Sequence, residues 1–83
     1  IKAIFVNGNI DGIYSVYNTL GKISTLSTYK NGKLYGKFYK WFANGRIHIL
    51  TNYNNNWLNG KYSEWRKNGS IRYQYVYKNG IKI

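Results

Sequence analysis

Side chains able to do acid–base, nucleophilic or metal chemistry are scarce in this sequence. His48 is the single histidine, Asp11 and Glu64 are the only carboxylate side chains, and cysteine is absent. General acid–base catalysis needs titratable groups within hydrogen-bond reach of one substrate, and a metal needs several ligands converging on one point. Asp11 and Glu64 fall about two repeats apart in the periodicity described below, too far to share a substrate. Each has a plainer role: Asp11 as a turn former beside Gly12, Glu64 as a surface partner for Arg72, and His48 as an exposed strand residue near Lys40, on the side opposite Ile47 and Ile49. The glycines make no phosphate loop, because they precede strand-like segments and lack the Gly-Lys-Ser/Thr ending. Such an inventory describes a binding or structural protein, with no catalytic residue, cofactor or metal implied.

Binding chemistry is better supplied. Thirteen Lys and Arg against two acidic residues give a formal charge of +11, which attracts polyanions: nucleic acid, an anionic membrane face or an acidic protein. Residues 29–52 hold the densest share, Lys30, Lys33, Lys37, Lys40 and Arg46, with no acid among them. These five are the candidate polyanion-binding residues, since lysines interleaved with Tyr35, Tyr39, Tyr53 and Tyr62 can follow a phosphate backbone while rings stack on bases. Lysines at turns and strand edges also keep an open sheet from aggregating. Part of the charge follows from base composition as well, because Asn, Lys, Ile and Tyr all have A- and T-rich codons. Trp57 replaces the polar Lys33 in a turn, which makes it the candidate anchor for a partner, tryptophan being enriched at interface hot spots.

What positions these residues is a repeat of 24 residues. The segment 29–52, YKNGKLYGKFYKWFANGRIHILTN, aligns without gaps to 53–76 and to 5–28. Its columns agree in type: Phe5, Tyr29, Tyr53 and Tyr77; Gly12, Gly36 and Gly60; Tyr14, Phe38 and Tyr62; Tyr17, Trp41 and Trp65; Gly21, Gly45 and Gly69; Ile23, Ile47 and Ile71. A period of this length marks an array. Residues 1–4 and 77–83 read as partial copies, so we expect one repeat domain over 1–83, excerpted or processed from a longer array. No run of about 18 apolar residues exists to span a membrane as a helix.

Within each copy, GKFYKWF (36–42) and RIHILTNY (46–53) read as strands joined through Ala43-Asn44-Gly45. A three-residue loop with glycine in the left-handed position places Tyr17 opposite Ile23, Trp41 opposite Ile47 and Trp65 opposite Ile71, the expected repeat core, and sets Glu64 opposite Arg72. On that register Ile49 and Thr51 share Trp41's face, as Tyr73 and Tyr75 share that of Trp65. Tyr14, Phe38 and Tyr62, opposite Leu26, Leu50 and Gln74, make a second stripe on the reverse face, one that needs a bulge or a covering partner. From Tyr29 to Gly36 we expect a wider turn, with Asn31-Gly32 supplying positive backbone angles, and at 54–57 Asn56 takes the left-handed role. The fold class is all-β: a single elongated antiparallel sheet of tandem hairpins, with unpaired edges near residues 1–6 and 70–77.

The YxNGxLxG opening, the aromatic strand, the Asn-Gly and the aliphatic strand resemble the MORN repeat, in the shorter variant of bacterial antitoxin-like and giant-virus proteins. The likeness covers residues 5–83, closest at Tyr29, Gly32, Leu34, Gly36, Trp41, Asn44 and Gly45 and weakest at Asn18–Gly21 and Asn54–Trp57. The resemblance implies a non-enzymatic scaffold binding other protein subunits of an assembly, such as a giant-virus particle. A basic module for nucleic acid or anionic lipid, and an antitoxin-like role, are the alternatives. The chain is expected to be soluble, and intracellular or virion-associated.

Overall fold

A computed structural model describes residues 5, 6 and 8–83. Ten strands follow one another with no helix among the described residues: β1 (Phe5–Val6), β2 (Asn9–Ile10), β3 (Gly12–Tyr17), β4 (Ile23–Lys30), β5 (Lys33–Trp41), β6 (Ile47–Asn54), β7 (Trp57–Leu58), β8 (Gly60–Trp65), β9 (Ile71–Lys78) and β10 (Ile81–Lys82). β1 and β2 pair with each other, and the other eight form one antiparallel sheet in the order β10-β9-β8-β6-β5-β4-β3, with β7 also beside β6. The molecule measures 41 × 38 × 10 Å. Packed sheets already stand about 10 Å apart, so this is one layer of strands. Its in-plane dimensions are nearly equal, and at this number of strands the sheet is a plate.

The three-residue loops form as the side chains require. Phe42 N–H donates to the Arg46 carbonyl at 2.9 Å and Gly45 N–H to the Phe42 carbonyl at 2.9 Å, with Gly45 at φ 86°. Equivalent bonds close Asn18–Lys22 and Arg66–Ser70. Asn44 and Asn68 accept from the backbone N–H of Arg46 and Ser70, each at 2.9 Å, so the asparagine stabilises the turn it belongs to. Tyr17–Ile23, Trp41–Ile47 and Trp65–Ile71 face one another.

One residue beyond those pairs the expected register fails. Glu64 lies opposite Tyr73 and Lys40 opposite Ile49, because the ladder shifts immediately after Trp65 and Trp41. Ser24, His48 and Arg72 are the residues left over, at matching places in the three hairpins. Side chains alternate with period two, so each bulge reverses every side chain beyond it. Ile49 and Thr51 therefore lie on the face opposite Trp41, and Tyr73 and Tyr75 on the face opposite Trp65. Tyr14, Phe38 and Tyr62 meet Ser27, Thr51 and Tyr75 in place of Leu26, Leu50 and Gln74.

The turns at the other end of the strands are tighter than expected. Lys30 pairs with Lys33 and Asn54 with Trp57, leaving two-residue turns with both residues left-handed: Asn31 and Gly32 at φ 53° and 80°, Asn55 and Asn56 at 49° and 72°. That is the turn whose twist matches paired strands. Of the expected edge near residues 1–6, Ile1–Ile4 lie outside the described residues and Phe5–Val6 pair with Asn9–Ile10. Beyond β9 only β10 pairs, at Tyr77 and Lys78.

Among residues 11–83 no apolar side chain is buried; the buried ones are Ser15, Ser27, Thr51 and Ser63. The cross-strand row Tyr14-Ser27-Phe38-Thr51 shows why. Ser27 and Thr51 sit between rings and are covered by them, Ser15 and Ser63 lie on the opposite face across from Leu26 and Leu50, and in a single layer nothing covers the rings. The Tyr17, Ile23, Trp41, Ile47, Trp65 and Ile71 set is accordingly no closed core: Tyr17 is 49% and Ile71 47% exposed, and the other four are half-buried.

Candidate functional site

The sheet presents two surfaces, assembled from alternate residues of the same strands. On the first, which we call the ring face, Tyr14 meets Tyr29, Phe38 meets Tyr53 and Tyr62 meets Tyr77, edge to face, at centroid separations of 6.1, 5.6 and 6.2 Å. Such pairs contribute about 0.5–1.5 kcal/mol each beyond the area they bury. Toward β9 the ring face widens into a tyrosine cluster: Tyr73 and Tyr75 stack at 5.8 Å, and Lys82 Nζ lies 4.3 Å from the Tyr75 ring centroid. Tyr62 donates to Glu64 Oε1 at 2.7 Å, and Arg72 Nε stands 4.0 Å from Glu64 Oε2. Burial first, then the bond to Glu64, pushes the Tyr62 hydroxyl well above the ordinary tyrosine range. The Tyr53 hydroxyl is raised too, by burial and secondarily by Tyr29.

The second surface, the lysine face, divides along the strands. Near the three-residue loops it carries Tyr17, Ile23, Trp41, Ile47, Trp65 and Ile71, with Tyr39 stacked on Trp41 at 5.5 Å. Near the two-residue turns it carries exposed Lys30, Lys33, Lys37, Lys61 and Lys78, the last paired with Ile81. Tyr35, 43% exposed, and Trp57, 60% exposed, stand among them. Lys30 Nζ sits 5.2 Å from the Tyr35 ring centroid. Between the two rings run Asn52 and Asn54 of β6, beside a shallow hollow that Tyr35 and Asn59 also line.

The candidate polyanion-binding residues do not gather into one site. Lys30, Lys33 and Lys37 share the lysine face, but Lys40 pairs with Thr25 and Ile49 on the ring face. Arg46 lies at the far end of the strands, where its guanidinium donates to the Asn68 carbonyl of the neighbouring loop. In their place the fold adds Lys61 and Lys78. Trp57 is exposed, yet its ring rests against the next turn, since a Cβ on Gly80 would lie 2.3 Å from its Cε3. His48 is not an exposed strand residue. It is the bulge residue, half-buried and stacked on Phe42 at 4.1 Å.

Two roles escaped sequence reasoning. Asp11 does more than form its own turn: its carboxylate accepts from Asn31 N–H of the next turn at 3.3 Å, as Asn59 accepts from Asn79 N–H at 3.1 Å. Tyr35 holds the same column and cannot do this. There Asn56 binds in the other direction, accepting from Leu34 N–H at 2.8 Å. The shared column of Asp11 and Asn59 was the available signal. Set against protein-family models, curated proteins and solved structures, the chain matches none of them.

Proposed function

We propose that this chain is a non-enzymatic repeat scaffold that binds another protein through its ring face. The observation carrying this is the uncovered row of Tyr14, Phe38, Tyr62 and Tyr75 on a plate one strand thick. A partner with an apolar surface gains by covering those rings, and the Tyr73, Tyr75, Tyr77 cluster supplies large, stiff side chains that lose little entropy on docking. Hydroxyls at the ring edges, Tyr62 among them, give such a partner polar points of registration.

A photo-crosslinking amino acid tests this. Placed at Tyr73, 41% exposed on the ring face, it is expected to give a discrete protein adduct in extract of the source cells. Placed at Lys61 on the other face, it is expected to give none of that species. Adducts identical from both positions, or none from Tyr73, count against the proposal.

A further inference from the structure

We propose that the turn-side half of the lysine face is a binding site for single-stranded nucleic acid. The site lies on the face opposite the rings and does not depend on the protein-binding proposal. Five lysines, Lys30, Lys33, Lys37, Lys61 and Lys78, are exposed there on β4, β5, β8 and β9. At about 4.8 Å between neighbouring strands they spread over roughly 19 Å, the length of a few nucleotides. Glu64 is on the other face. Asp11, just before β3, accepts from Asn31 N–H.

Charge alone attracts any polyanion, and the rings narrow the choice. Tyr35 and Trp57 flank Asn52 and Asn54, giving an order of ring, amides, ring across β5, β6 and β7. Exposed rings stack on bases that are free of a complementary strand, and amides between them can meet base edges. Lys33 and Lys37 on one side and Lys61 on the other are placed for the phosphates. A duplex buries its base faces and offers the rings nothing. Only alternation positions these groups: Lys37, Asn52 and Lys61 point one way because Phe38, Thr51 and Tyr62 point the other.

Fluorescence anisotropy of the full 83-residue chain with a labelled dT 12-mer tests this, run from 0.05 to 0.3 M salt. Engagement of five phosphates predicts a log–log salt slope of about −3.5, at roughly −0.7 per phosphate. At 0.15 M salt, where charges beyond about 8 Å are screened, K37E/K61E is expected to weaken binding at least tenfold. K40E and R46E, outside the site, should each change it less than threefold. W57A should cost about tenfold, the scale of one stacked base, with the salt slope kept, and W57F should recover most of it. Far-UV circular dichroism shows that each variant keeps the sheet. Several outcomes overturn the site: no binding at 0.05 M salt, a 12-base-pair duplex bound as tightly, W57A without effect, or K40E and R46E as damaging as K37E/K61E. Anionic vesicles or polyglutamate competing as well as the 12-mer would likewise overturn it in favour of plain charge.

Discussion

Lys61 and Tyr62 are neighbours in sequence and belong to different surfaces. Tyr62 is half-buried, bonded to Glu64 and packed edge to face on Tyr77; Lys61, opposite Val76, stands in solvent. The same contrast runs through Thr51 and Asn52, and through Phe38 and Lys37. In most domains one side of a sheet is committed to the core, so only the other is free to carry function. Among the described residues there is no second layer, and odd and even positions can specify two surfaces separately. The ring face holds its order by covering small residues with rings, whereas the turn-side lysine face is tied by bonds between side chains and backbone, from Thr28 Oγ1 to the Lys37 carbonyl and from the turn N–H groups to Asp11, Asn56 and Asn59.

This separation is easiest to break at Thr51, 1% exposed between Phe38 and Tyr62. Thr51→Tyr, which copies the residue that the same column carries at Tyr75, is expected to cost about 1–3 kcal/mol by overpacking. Lys61→Tyr should stay within about 0.5 kcal/mol. Equal losses in urea melts would mean that the two faces are coupled.

The two ends of the strands allow the next comparison. Gly80→Ala and Gly45→Ala each place a side chain at a left-handed position, with φ 84° and 86°, at a cost of about 1–2 kcal/mol. Only Gly80→Ala must also displace the Trp57 ring, since a Cβ on Gly45 meets nothing within 4 Å. A tryptophan emission shift is expected for Gly80→Ala and not for Gly45→Ala.

Thr51 sharpens the ring face in the opposite sense. Its hydroxyl is buried without a protein partner. Thr51→Val keeps the shape, removes that hydroxyl and is expected to stabilise by up to about 1 kcal/mol. A lower urea midpoint would show that the hydroxyl is satisfied.

The smallest effect is alkaline. The folded Tyr62 hydroxyl titrates above its unfolded value of 10.0, so above that pH the unfolded chain binds fewer protons than the folded one and stability falls as pH rises. Below it the contribution is intact. The melting-temperature advantage of the wild type over Tyr62→Phe should therefore shrink between pH 9 and pH 11. A constant gap would show that Tyr62 ionises alike in both states.

Sequence reasoning reached the hairpin order, the three-residue loops and the pairs Trp41–Ile47 and Trp65–Ile71, because these rest on local turn chemistry and matching columns. It could also sort each strand into two alternating sets. Which set met which across the sheet was decided in three dimensions. At Ser24, His48 and Arg72 the ladder skips a residue, and with a period of two that single skip turned the expected core strands over, moving Ile49 and Thr51 to the ring face. The skip carries no residue type of its own, since serine, histidine and arginine share no turn preference. Likewise, Lys61 and Lys78 joined Lys30, Lys33 and Lys37 only through pairing between distant strands, while Lys40 and Arg46, as basic in sequence, were carried elsewhere. Composition and period determined that there would be a sheet with rings and lysines; the bulges, by fixing the side on which each residue emerges, decided which surface each would serve.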